Sequence, residues 1–105
     1  MTKTSPATQP EIAHDLAEVD VLTVLQALSD PVRLEIVRQL AANGQCMCGQ
    51  LVIPVAKSTG SHHLKTLAKA GITAEREEGT SKYLRLRHAE LEERFPGLLE
   101  SVLRA

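Results

Sequence analysis

Lysines and short hydroxylated side chains mix from Lys57 to Lys69, in the stretch KSTGSHHLKTLAK, with no acid among them. Leu64, Leu67 and Ala68 fall at helical spacing and predict one apolar stripe. The other faces then carry Lys57, Ser58, Thr59, Ser61, His62, Lys65 and Lys69. Between Asp30 and Glu75 the sole carboxylate is Glu35. This is the chemistry of a helix laid in the major groove of a duplex. Short donors reach base edges, while lysines and helix-terminal N–H groups take phosphates. An ordinary amphipathic surface helix would favour Glu over Ser and Thr at its exposed positions.

Other residues are candidates for different chemistry. Cys46 and Cys48, separated by Met47, could offer two thiolates to a soft or borderline ion. His62 and His63 are adjacent, so on a helix they point to different faces and cannot chelate one metal. His62 is expected to face nucleic acid, and His63, beside Leu64 and near Leu67, to be half-buried and satisfied by a hydrogen bond. His88 and Glu92 stand four apart, a spacing common to solvated surface pairs, and His14 is isolated. Nothing here is an enzyme's apparatus. There is no glycine-rich phosphate loop, no nucleophile motif and no pair of carboxylates flanked by apolar sequence. A Cys-x-Cys reductase is the one enzymatic candidate, and such close pairs usually need different surroundings.

The elements that must present these residues are small. At 105 residues with one Tyr, one Phe and no Trp, the chain is one domain with an aliphatic core. Pairing with a second copy would add stability. No stretch approaches the roughly 20 apolar residues of a membrane span, and no basic-then-apolar leader is seen. Two cysteines this close do not make a disulfide framework, so a reduced, cytoplasmic setting is expected. The net charge of −1 is unevenly spread: from Lys57 to Arg87, seven Lys/Arg stand against three Glu, an excess of +4 that leaves −5 elsewhere. That excess reads as a polyanion-binding face.

Residues 1–10 are polar with two prolines and are expected to be a disordered arm, leaving 11–105 as the folded domain. A first helix is predicted over Glu11 to Leu28, with a possible break near Asp20, on Leu16, Val19, Leu22, Leu25 and Leu28. Asp30 as N-cap and Pro31 at the first turn start a second helix, closed by Asn43-Gly44. It is expected to bury Leu34, Val37 and Leu40, with Ile36 on the flank. A short third helix over Gly49 to Ile53 stops at Pro54. The lysine- and hydroxyl-bearing helix follows, making a helix-turn-helix. Ile72 to Glu77 and Lys82 to Arg87 predict two strands of a hairpin, a wing. A last helix from Ala89 carries Leu91, Phe95, Leu98, Leu99, Val102 and Leu103, interrupted at Pro96. The fold class expected is mainly α (α+β): a winged helix-turn-helix of about five helices with a two-stranded β-hairpin wing.

This order, with LQALSDPVRLEIVRQL early, SHHLKTLAKAGI centrally and EGTSKYLRL at the wing, resembles the ArsR/SmtB family of bacterial winged-helix repressors. The resemblance spans about Val21 to Arg87. It implies a homodimer built from the first and last helices and a recognition helix over Lys57–Ala70. Ser58, Thr59, Ser61 and His62 match the base-reading surface, and Lys65 would contact the DNA backbone. In soft-metal sensors of the family a Cys-x-Cys here supplies thiolates, and arsenite-type sites use a third Cys at the position that Leu51 holds in this chain. Positions matching the zinc ligands of the last helix hold Arg87, Ala89, Glu100 and Leu103. Gly60 stands where the family places an apolar packing residue, and Glu77 and Glu78 at the wing tip would repel phosphate. The expected protein is a sequence-specific, DNA-binding transcriptional repressor, needing no cofactor, released from its operator by an unknown signal. The alternatives are a protein-interaction module of the same fold without DNA binding, or a thiol or metal sensor using Cys46 and Cys48.

Overall fold

Asp30 and Pro31 start the central helix as their types require. The Asp30 carboxylate accepts from the N–H groups of Val32 (2.9 Å) and Arg33 (3.0 Å). In the computed structural model, which describes residues 11–105, α2 runs Pro31–Asn43 behind α1, Val21–Leu28, whose own N-cap is Asp20. The expected disordered arm, residues 1–10, lies outside the described residues. Ile36, placed on the flank by spacing, is fully buried, and Leu34 is only half-buried. The reason is position: α2 packs against α1, α3, β1 and β3, so its buried surface is wider than one stripe.

The first helix breaks at Asp20, as expected, and the part before the break is not α-helical. Leu16–Glu18 is one 3-10 turn, and Ile12 is extended, exchanging backbone hydrogen bonds with Glu75 (2.7 and 3.0 Å). A continuous helix would need the carbonyls of Leu16 and Val19 for its ladder. Arg94 takes both, through Nε (3.1 Å) and Nη2 (3.2 Å), while the Asp20 carboxylate takes the Thr23 N–H (2.9 Å).

The third helix is also replaced. Gln45–Met47 forms β1, Cys48–Gln50 a single 3-10 turn, and the chain then runs irregularly to Ala56. Gly49 and Pro54 disfavour helix, and the Gln39 side chain occupies both backbone groups of Val52. Its Nε2 donates to the Val52 carbonyl (2.8 Å) and its Oε1 accepts the Val52 N–H (3.0 Å). The helix expected to recognise DNA, α3, spans Lys57–Lys69.

After α3, Gly71 takes φ +77, and a Cβ there would lie 2.5 Å from Leu16 Cδ2. Glycine therefore both ends the helix and lets the 3-10 turn close over it. Strands β2 (Thr73–Glu78) and β3 (Ser81–Leu86) pair antiparallel from Thr73↔Leu86 to Glu78↔Ser81, across the two-residue turn Gly79-Thr80. Among the described residues the sheet has three strands, ordered β1-β3-β2, rather than the expected two, with Cys46 opposite Leu84. Helices α4 (His88–Arg94) and α5 (Leu98–Arg104) flank the expected interruption at Pro96. The core is aliphatic, centred on Ile36, Leu40, Leu67, Ile72 and Leu84. The architecture is a winged helix-turn-helix, mainly α with a β wing.

Candidate nucleic-acid interface

Helix α3 is held to the body by Gly60, Leu64 and Leu67, of which Gly60 and Leu67 are buried and Leu64 half-buried. With that stripe turned inward, Lys57, Ser58, Thr59, Ser61, His62, Lys65 and Lys69 are all exposed. No side chain caps the first turn, so its leading N–H groups stay open toward the same side. Thr66 is half-buried and turns back on its own helix, its hydroxyl donating to the His62 carbonyl (3.0 Å).

The basic excess counted along the sequence does not survive as one patch, because the wing cations are paired. Arg76 meets Glu78 at 3.1 Å and lies over the Tyr83 ring, and Lys82 meets Glu75 at 3.6 Å. Arg85 is clamped between Glu11 (2.8 Å) and Glu90 (2.7 Å). Arg87, 8% exposed, donates to the carbonyls of His14 (2.7 Å) and Gly71 (3.3 Å). Hydrogen bonds from Arg85 hold the Glu90 carboxyl down to about 2 and lower that of Glu11 too. The cations without a carboxylate partner among the described residues of this segment are Lys57, Lys65 and Lys69, all on α3. Among the described residues, the positive charge of this segment that has no carboxylate partner is confined to the helix.

His63 is half-buried, as its neighbours predict, with Nδ1 3.2 Å from Arg33 Nη1 and 3.9 Å from the Asp30 carboxylate. Arg33 also donates to the carbonyls of Ala27 (2.7 Å) and Gln26 (3.2 Å), tying the end of α1 to α3. Spacing gave no hint of Arg33, Gln39, Arg87 or Arg94 as positioning residues, because each acts on a carbonyl or ring remote in sequence or on another element.

Cys46 is buried, and Cys48 is half-buried, its thiol raised by desolvation. Among the described residues, no three His, Cys, Asp or Glu side chains come together as metal ligands. Glu92 does not face a shared ion with His88; its carboxylate accepts the Gly97 N–H (3.1 and 3.2 Å). Among the described residues no helix is long and apolar enough to cross a membrane.

Comparison with known proteins agrees with this geometry. A family described as a helix-turn-helix domain matches residues 28–76. The chain is 39% identical over 82 residues to an uncharacterized HTH-type transcriptional regulator, YceK, of Bacillus subtilis, covering 75% of this chain and 82% of that one. It is 39% identical over 77 residues to a cadmium resistance transcriptional regulatory protein, a CadC homolog, of Staphylococcus aureus (69% of this chain, 64% of the relative). An arsenical resistance operon repressor of Staphylococcus aureus is 33% identical over 75 residues (70% of this chain, 72% of the relative). With the fold, the exposed donors of α3 and these relatives in agreement, the chain belongs to the ArsR/SmtB family of DNA-binding, helix-turn-helix transcriptional regulators.

Proposed function

We propose that this protein is a homodimeric repressor that lays α3 in the major groove of its operator and leaves when a signal lowers its affinity. One observation carries the reading: the seven exposed residues of α3 are all hydrogen-bonding or cationic, and among the described residues no carboxylate neutralises its lysines. Ser58, Thr59, Ser61 and His62 read base edges. Lys57, Lys65, Lys69 and the uncapped first turn take phosphates. The wing tip, with Glu77 and Glu78 exposed, stays off the backbone.

The dimer rests on an apolar face without cover in the single chain. Leu22 is 64% and Leu25 39% exposed on α1, beside half-buried Leu98, Val102 and Leu103 of α5. The two helices adjoin, since Val24 and Leu28 share a crevice with Phe95, Leu98 and Leu99. A two-fold axis through this face would set two copies of α3 about one DNA turn, roughly 34 Å, apart.

Two relatives are named for cadmium and arsenical resistance. The cysteines of this chain do not fit such a signal. Cys46 is buried within β1, desolvation raises the Cys48 thiol and so disfavours its thiolate, and among the described residues no third ligand joins them. The test is operator selection followed by anisotropy titration. Lys65→Ala should weaken every duplex alike and reduce the salt slope by about 1. An unchanged affinity and slope would remove α3 from the interface and favour a protein-interaction module.

A further inference from the structure

Between the N-terminal half of α3 and the wing lies a groove of about 650 Å³. Met47, Leu51, Ile53, Val55 and Leu64 supply its apolar surface, and Lys57 and Lys82 stand on it as its charged groups. No carboxylate lines it. A second hollow of about 400 Å³ shares Cys48, Ser61, Leu64 and Lys82 with it and adds Glu75, which meets Lys82 at 3.6 Å, so the acid-free lining is that of the first groove alone.

The irregular stretch 51–56, held at Val52 by Gln39, gives the groove one wall through Leu51, Ile53 and Val55. Gly60, on the inward stripe with Leu64 and Leu67, supplies no side chain. A Cβ there would meet only the methyls of Ile53 (3.6 and 3.7 Å) and Val55 (4.0 Å), all ordinary contacts. The φ of Gly60 is not positive, so the backbone does not require glycine. A residue that costs helix stability without serving the backbone leaves one effect, the open volume.

We propose that this groove binds a small amphipathic organic anion, its apolar body under α3 and its acidic head on Lys57 and Lys82. The volume is that of a small-molecule site, which is mostly apolar with a few placed polar groups. Lys57 has no carboxylate partner among the described residues, and Lys82 keeps ammonium donors beyond its 3.6 Å contact with Glu75, so the first groove favours a carboxylate or sulfonate over a cation. The apolar floor selects against a bare inorganic anion. Lys57 and Ser61 belong both to the groove and to the surface assigned to DNA, so occupancy and operator binding compete. That second half rests on the function proposed above.

The test uses the full chain, with 8-anilinonaphthalene-1-sulfonate as fluorescent probe and decanoate as competitor. Probe fluorescence should saturate at one per chain, and decanoate should displace it while inorganic phosphate and decyltrimethylammonium do not. Gly60→Leu, which fills the space, should lower probe affinity about tenfold or more. Lys82→Gln should lower it several-fold with helix content unchanged. Probe affinity unaltered in Lys82→Gln and in a folded Gly60→Leu overturns the proposal, as does equal displacement by decyltrimethylammonium. Decanoate should weaken operator binding by the wild type and leave that of Gly60→Leu unaffected; operator binding indifferent to decanoate refutes the competition. Probe binding that follows the variants, in a chain that binds no operator, supports the groove and refutes the DNA reading alone.

Discussion

Gly60 and Gly71, near the start and just past the end of α3, should respond to alanine with opposite signs. Gly60 lies inside the helix, where alanine is favoured by about 1 kcal/mol. The added methyl would touch Ile53 and Val55 at 3.6 to 4.0 Å without a clash. Complete burial of one such group is worth about 0.8 kcal/mol, and the open groove reduces that gain. Gly60→Ala should therefore stabilise the fold by about 1–1.5 kcal/mol. At about 4–8 °C per kcal/mol for a domain near this size, the Tm should rise roughly 5–10 °C. At Gly71 the φ of +77 disfavours any Cβ, and the new atom would sit 2.5 Å from Leu16 Cδ2. Gly71→Ala must displace the 3-10 turn as well as strain the backbone, for a loss of about 2–3 kcal/mol. Thermal and urea unfolding should be followed at one fixed protein concentration, since dimer dissociation shifts both midpoints. A destabilised Gly60→Ala or a neutral Gly71→Ala would refute the packing of α3 described here.

Further outcomes follow from the same geometry. Glu90, ordinarily near 4.5, is held down to about 2 in the folded chain. Its contribution is complete above the unfolded value and lost as pH falls from about 4.5 toward 2, so Glu90→Gln should flatten that part of a Tm-against-pH curve. Leu22→Glu, placing a charge on the exposed face of α1, should give a monomer by sedimentation and weaken operator binding; a stable dimer would move the interface elsewhere. Ser61→Ala and His62→Ala should each relax preference for one base position by about 1–3 kcal/mol, measured against a panel of single-base operator variants. Iodoacetamide should label Cys48 more slowly than free cysteine at neutral pH, with Cys48→Ser binding operator as the wild type does. Zinc, cadmium or arsenite at low micromolar levels should not release the operator, and release that disappears in a Cys46→Ser, Cys48→Ser double variant would restore the sensor reading.

Local rules made much of this protein legible in its residue order. Capping by Asp30 and Pro31, the Leu64–Leu67 stripe and the glycine turn of the hairpin each act within a few residues. They yielded α2, α3, the wing strands and the interruption at Pro96. The family, too, was apparent from three short segments. Tertiary structure decided what depends on partners distant in the chain. Arg85 is neutralised by Glu11, 74 positions away, as well as by Glu90, and Arg94 takes the Leu16 carbonyl across 78, so neither the Arg85 clamp nor the loss of helix before Asp20 was visible in spacing. Ile36 entered the core because α2 is covered on several sides, a fact of packing that one helical period does not encode. The stretch from Gln45 to Ala56 became a strand, a turn and a held loop because β3 offered a free edge and Gln39 a pair of hydrogen bonds. Both lie outside the segment, and segment propensity is weak enough for such contacts to override it.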